Sequence, residues 1–317
     1  MIDKIVSGDF RAIARLITLA ENGSPEARPY LRALFPHTGR CLSVGVTGSP
    51  GAGKSTLVDK LAAHYRSLNR RVGIIAVDPT SPFSGGAILG DRIRMQSRAL
   101  DAGTFIRSMA TRGNLGGLSR ATADAILILD AAGFDIVLIE TVGVGQDEVD
   151  VARTAHLSVV ILVPGMGDDV QTMKAGIMEI GDIFVINKAD HPGVERVEAE
   201  VNSLLEISDR QDGWKPPVIR TMAVEGIGVA ACVQAIESWQ RIEKDSGPQV
   251  ERWIRIQKDR LLELVLSEVR TSMLQMPGIA RRLEQLAHGV AERSVDPYTA
   301  AEELLVTWKM QAPGSGA

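Results

Sequence analysis

The chain of 317 residues is 45% hydrophobic, 23% charged and 4% aromatic, long and apolar enough to bury an ordinary core without covalent staples. A formal net charge of -4 and an isoelectric point near 5.8 give no overall pull toward nucleic acid or an anionic membrane. The two cysteines, Cys41 and Cys232, lie far apart in apolar contexts, which argues against a disulfide framework or a cysteine metal site and for a reducing, cytoplasmic setting.

The first residues lack a charged-then-apolar signal pattern, and Met1 to about Phe35 reads as helical, with Ile13, Leu16, Ile17 and Ala20 forming an apolar stripe. From Leu42 to about Trp239, strand-like runs alternate with helical patterns, as in a mostly parallel sheet covered by helices. The expected strands are Leu42 to Val46, Val72 to Val77, Thr104 to Ser108, Asp135 to Glu140, Ser158 to Val163, Asp182 to Ile186 and Val218 to Met222. The longest apolar runs, such as Leu157 to Val163, are too short to span a bilayer. The expected fold class is therefore α/β, with helical extensions at both ends: residues 1–40, a central domain over 41–246 and an arm over 247–317.

Chemistry-bearing motifs fall at the C-terminal ends of these strands, where open α/β sheets bind ligands. The first strand runs into Gly48-Ser49-Pro50-Gly51-Ala52-Gly53-Lys54-Ser55, which fits G-x-x-x-x-G-K-[ST]; Thr56 and a helical pattern through Leu57, Leu61 and Tyr65 follow. Glycines let consecutive N–H groups wrap a phosphate chain, and a helix N-terminus adds its dipole. Lys54 is expected to reach the β- and γ-phosphates and Ser55 to ligate Mg2+. Asp78 at the end of the second strand and Asp91 after a glycine-bearing loop are each able to complete the Mg2+ shell, although Asp78-Pro79 also suits a turn and Asp91 a helix cap.

The fourth strand ends in Glu140-Thr141-Val142-Gly143-Val144-Gly145-Gln146. A carboxylate there can hold Mg2+ directly or through water, and the Gly143 N–H can sense the γ-phosphate, so Lys54, Asp91, Glu140 and Gly143 form the candidate catalytic set. Val144 stands where many GTPases carry a water-orienting glutamine, and Gln146 follows two residues later. Slow intrinsic hydrolysis is the expected consequence, with a partner completing the site. Gln146 is read either as part of that switch or as a solvated loop residue.

Asn187-Lys188-Ala189-Asp190 follows the sixth strand. Asp190 can accept from guanine N1–H and the exocyclic amine, a pattern adenine lacks; Lys188 is expected to cover the ring face and Asn187 to tie loops together. Thr221-Met222-Ala223 is the expected second base loop, with the Ala223 N–H aimed at guanine O6 and Met222 in place of a more common serine. Beyond the Lys244-Asp245-Ser246-Gly247-Pro248 linker come further helices, with a break at Pro277-Gly278 and a last cap at Asp296-Pro297. His37, His64, His156, His191 and His288 share no ligand spacing.

Taken together, Gly48 to Thr56, Ser84 to Arg92, Phe105 to Ala110, Glu140 to Gln146 and Lys174 to Glu179 closely resemble the MeaB/ArgK family of P-loop GTPases, over nearly the whole chain. Members are chaperones of adenosylcobalamin-dependent acyl-CoA mutases. The resemblance implies GTP/GDP and Mg2+ binding, slow hydrolysis stimulated by a mutase, and a homodimer built through the C-terminal arm. It also implies adenosylcobalamin only by way of that mutase, and an adenosyltransferase as a further candidate partner. It places Asp78, Asp91 and Glu140 at magnesium or switch positions and makes Asp168 to Lys174 a second mobile loop, with Asp168 and Lys174 relaying the nucleotide state alongside Gln146. A GTPase metallochaperone and, further off, a P-loop kinase are the alternative readings.

Overall fold

The computed structural model describes residues 1–78, 101–110, 117–141, 154–165, 181–207, 213–245 and 247–311. Within these, seven parallel strands form one sheet: β1 (Leu42–Gly48), β2 (Val72–Asp78), β3 (Thr104–Ala110), β4 (Ile136–Thr141), β5 (Leu157–Leu162), β6 (Ile183–Asn187) and β7 (Val218–Thr221). Their order is β3-β2-β4-β1-β5-β6-β7. Connections from β1 run outward to β2 on one side, whereas β5 to β7 extend the other, so the strand order reverses at β1. A crevice opens at such a switch point, and here it opens directly above the glycine-rich loop.

The central strands are buried on both faces, which explains why they read as continuous apolar runs rather than alternating ones. On one face α4 (Lys54–Ser67) and the helix Val229–Asp245 pack Leu57, Leu61, Ile236 and Trp239 against Val44, Val46, Leu138 and Val159. On the other, the helix Gly117–Ala131 and the N-terminal helices cover Ile75, Val77, Val137 and Ile139. Phe10, Phe105 and Phe134 meet there with ring centroids 5.5–6.2 Å apart.

The N-terminal segment, expected as one helical stretch, is three helices: α1 (Ile2–Val6), α2 (Phe10–Glu21) and α3 (Ala27–Leu34). Gly8 and Gly23 adopt φ of +83° and +66° at the two breaks, and Asp9 caps α2 by accepting from the Ala12 N–H at 2.7 Å. The stripe Ile13, Leu16, Ile17 and Ala20 is buried. Arg107 of β3 fastens α2 through Thr18 Oγ1 (3.1 Å) and Glu21 Oε2 (2.8 Å). The Asp130 carboxylate then accepts the N–H groups of Gly39, Arg40 and Cys41, fixing the entry into β1.

At the opposite end of the sheet from the glycine-rich loop, Ser43 and His156 lock the start of β1 to the start of β5. The Ser43 N–H donates to His156 Nδ1 at 3.0 Å, Ser43 Oγ lies 2.6 Å from the same nitrogen, and the His156 N–H donates to that Oγ at 3.0 Å. Trp253 stacks on the imidazole at 4.3 Å. Trp253 belongs to the long helix Gly247–Gln275, which runs through the boundary between two compact units, Met1–Ile256 and Gln257–Ala317.

In the second unit, the helices Ile279–Ala291 and Pro297–Gln311 pack Ile279 and Leu286 against Ala300 and Leu304. Gly278 at φ +83° precedes the first of these, and Asp296 caps the second by accepting from the Tyr298 and Thr299 N–H groups at 3.0 Å. Leu261, Leu262, Val265 and Leu266 of the long helix are exposed.

Asp101, just before β3, accepts from Arg66 Nε (2.6 Å), Arg66 Nη2 (3.0 Å), the Gly103 N–H (3.0 Å) and Thr104 Oγ1 (2.9 Å). The Arg66 guanidinium and these donors hold its carboxyl well below the usual carboxylate range. A depressed folded-state value means the contribution to stability is complete above the ordinary carboxylate range and is lost as pH falls through the lowered one. The melting-temperature gap between wild type and Asp101→Asn should therefore be open at pH 7 and close on acidification below about pH 4. A gap that stays constant down to pH 2 refutes this role.

Candidate functional site

The glycine-rich loop is shaped by what presses on it. Gly48, at φ +143°, has no room for a Cβ because the Ile161 carbonyl of β5 would occupy its place. Gly53, at φ +94°, starts α4 and lies against the side-chain amide of Asn187, which a Cβ would overlap. With no side chain at that cap, the first amides of α4 are left to a ligand, and an anion suits them. Lys54 is buried and its Nζ donates to the carbonyls of Gly48 and, at 3.1 Å, Ser49.

Beside this loop stands Glu140, on the neighbouring strand β4, paired in register with Val46 and almost wholly buried. The Ser55 hydroxyl donates to Glu140 Oε1. One hydroxyl and one carboxylate oxygen thus meet at the foot of the cleft. Hard oxygen donors of this kind suit Mg2+, so the residues present fit that ion.

On the other side, β6 ends with Asn187 itself. Its Nδ2 donates to the Ala52 carbonyl (2.8 Å), while its Oδ1 accepts from Thr221 Oγ1 (3.0 Å) and the Ala223 N–H (3.1 Å). One buried amide therefore joins the phosphate loop, the end of β6 and the loop after β7. Lys188 adopts φ +56°, and the turn closes with the His191 N–H donating to the Lys188 carbonyl at 2.9 Å. The Ala189 N–H donates to the Thr221 carbonyl at 3.0 Å, which holds the two base-side loops to each other, and Met222 bridges to Ile227 within the second of them.

A cleft of about 530 Å³ connects these parts. Its walls include Pro50, Gly51, Gly53, Lys54, Ser55 and Thr56 from the loop, Glu140 from β4, Asn187, Lys188 and Asp190 from the corner after β6, and Met222 and Ala223 from the loop after β7. Gly48, Ser49 and Ala52 shape the loop from behind. Asp78 ends β2, but its side chain lies outside the described residues, as do Asp91, Gly143, Val144, Gln146, Asp168 and Lys174. The Ala223 N–H, expected to be aimed at a base carbonyl, is donated to Asn187 Oδ1. Three further wall residues, His191, Val224 and Glu225, were not singled out from the sequence. Their only signal there is adjacency to the two base-side motifs.

The family described as "Methylmalonyl Co-A mutase-associated GTPase MeaB" matches residues 13–277. This chain belongs to the MeaB family. A relative from Pyrococcus abyssi, named among the GTPases, is 48% identical over 309 residues, covering 96% of this chain and 95% of its own. The Caenorhabditis elegans protein named methylmalonic aciduria type A homolog, mitochondrial, is 32% identical over 328 residues, 97% of this chain and 82% of that one. A crystal structure described as a LAO/AO transport system kinase superposes with a TM-score of 0.71 at 29% identity, over 96% of this chain and 95% of that one. This MeaB-family protein is thus a P-loop GTPase that binds a nucleotide and hydrolyses GTP. Among its described residues, no helix is long and apolar enough to cross a membrane.

Replacing Asn187 with alanine removes three hydrogen bonds and strands the buried Thr221 hydroxyl and Ala223 N–H. Chemical denaturation should show Asn187→Ala destabilised by about 2–4 kcal/mol, with nucleotide affinity falling in parallel. A variant with unchanged stability would show that the junction does not depend on this amide.

Proposed function

We propose that this MeaB-family GTPase is a nucleotide-dependent chaperone that gates cofactor loading into an adenosylcobalamin-dependent acyl-CoA mutase and protects or reactivates it. The observation that carries the reading is the match to a family described as mutase-associated, over a chain whose cleft joins a phosphate loop to an Asn-Lys-x-Asp corner. The name of the Caenorhabditis elegans relative supports the same client class. Adenosylcobalamin enters only through the mutase, and an adenosyltransferase is a further proposed partner.

In this reading the triphosphate lies along Gly48 to Thr56 and the base sits at Asn187 to Asp190. Lys54 exchanges its loop carbonyls for β- and γ-phosphate oxygens, so it moves from one set of acceptors to another. Asp190 accepts from the two guanine donors, Lys188 covers the ring, and the base carbonyl shares the Ala223 N–H with Asn187 Oδ1. Ser55 and Glu140, with Asp78 and Asp91 as further candidates, would hold Mg2+, whose charge neutralises the phosphates. Gly143, Gln146, Asp168 and Lys174 carry the nucleotide state outward to the client. The arm beginning near residue 247, with its exposed Leu261, Leu262, Val265 and Leu266, forms a homodimer.

Two measurements test this reading. Steady-state turnover of GTP and ATP, with and without candidate cobalamin mutases, should show GTP preferred and its hydrolysis accelerated roughly tenfold or more by the true client. Preference for ATP sinks the guanine assignment, and no acceleration by any such mutase sinks the client. Separately, Asp190→Asn should weaken GTP binding by about tenfold or more and shift preference toward xanthosine nucleotide, because the asparagine amide then faces guanine donors with a donor of its own. Unchanged GTP affinity in that variant removes Asp190 from base recognition.

A further inference from the structure

The loop after β7 is apolar where it meets the cleft. Met222 and Val224 both line the wall, and Val224 is 78% exposed. Ala223 before it and Val229 beyond it belong to the core beneath, whereas Val224 stands clear of that core. Exposed apolar side chains are ordinary when scattered over a surface; one held on the wall of a ligand cleft is not. The hold is firm. The Glu225 N–H donates to the Met222 carbonyl at 3.0 Å and the Gly226 N–H to the Ala223 carbonyl at 3.2 Å, two overlapping turns with Val224 in the middle of both. The Met222 N–H donates to the Ile227 carbonyl at 3.1 Å, and Gly228, at φ +81°, lies so close to the Arg220 carbonyl that a Cβ has no room.

The 3.1 Å bond from the Ala223 N–H to Asn187 Oδ1 joins this loop to the Asn-Lys-x-Asp corner, and Val224 and Lys188 are the residues that follow its two ends. Both line the cleft, as does Asp190. A purine presents a polar edge and two apolar faces, and a carboxylate serves only the edge. The faces call for apolar cover, which the methylene stem of a lysine and the branched side chain of a valine can each supply. We propose that Val224 is a base-positioning residue: resting on the guanine reading given above, its side chain packs on a face of the ring, is buried by it, and so fixes the plane in which Asp190 reads the edge.

Packing on a face is blind to the substituents on the edge. Val224 therefore strengthens the binding of purine nucleotides without choosing among them, and the choice stays with Asp190. A β-branched side chain has little rotamer freedom to lose when a ring covers it, so the wall is ready before the nucleotide arrives. An apolar contact of this size, incompletely buried, is worth about three- to tenfold in affinity.

The test is affinity by calorimetry on the full-length protein with Mg2+, for wild type, Val224→Ala and Val224→Ile, using GDP, inosine diphosphate and inorganic pyrophosphate. Val224→Ala should bind both nucleotides more weakly by the same factor, about three- to tenfold, with pyrophosphate affinity and the melting temperature of the free protein unchanged. Val224→Ile, which keeps the apolar wall, should hold GDP within about twofold of wild type. Unchanged GDP affinity in Val224→Ala overturns the proposal. So does an equal loss for pyrophosphate, which marks a distortion of the whole cleft, and so does a loss for GDP that inosine diphosphate does not share, which places Val224 at the edge of the base. Asp190→Asn run beside them separates the two levels of the reading. If that variant loses guanine preference while Val224→Ala binds GDP as wild type does, only the role of Val224 fails; if it keeps guanine preference, the base assignment itself fails.

Discussion

The site depends on one buried side-chain amide. Asn187 spends its donor on the phosphate loop and its acceptor on the loop after β7, and it stands at the last residue of β6, so three segments distant in sequence converge on four atoms. Amide geometry allows this because a carbonyl oxygen with two lone pairs and an NH2 group sit side by side. An aspartate in its place has no N–H for the Ala52 carbonyl, and a shorter serine does not reach both loops. The absence of a Cβ at Gly53 follows from the same contact, since the amide needs the space.

The rest of the fold delivers these segments to one place. A parallel sheet whose order reverses at β1 leaves a crevice at the ends of β1 and its neighbours, and the residues that fill it come from the ends of β1, β4, β6 and β7. Because the central strands are covered on both faces, their positions are over-determined by packing. The N-terminal helices contribute to this cover as directly as the helices between strands. Their apolar stripe is core, shared with Phe105, Phe134 and Val137.

The strands and their order of appearance were legible in the sequence because each fully buried strand writes a dense apolar run, and the two nucleotide motifs were legible because glycine, lysine and aspartate at fixed spacing have few other uses. Boundaries were less so. β1 runs two residues further than its apolar pattern, through Thr47 to Gly48, because strand pairing with Ile161 continues where hydrophobicity stops. The N-terminal helical stretch hid two breaks, at glycines that periodicity treats as tolerable but that take left-handed conformations. The engagement of the Ala223 N–H by Asn187 could not be read at all, since it depends on how two loops 36 residues apart approach each other. His191 shares no ligand spacing with the other histidines, so the sequence carries no signal for it, whereas the turn at Lys188 sets it on the same wall as Asp190.

Ser43 and His156 clamp β1 to β5 at one end, and the close approach of Gly48 to the Ile161 carbonyl clamps them at the other. Between these points the two strands are a beam about 17 Å long, pinned at both ends. One end carries the phosphate loop, and the imidazole at the other carries the ring of Trp253. Such a beam cannot telescope: a slide of one strand along the other would have to break both pins and the ladder together. The span from the start of the phosphate loop to the imidazole that carries Trp253 is thus set by β1 and β5 alone, as a fixed baseline built into the sheet.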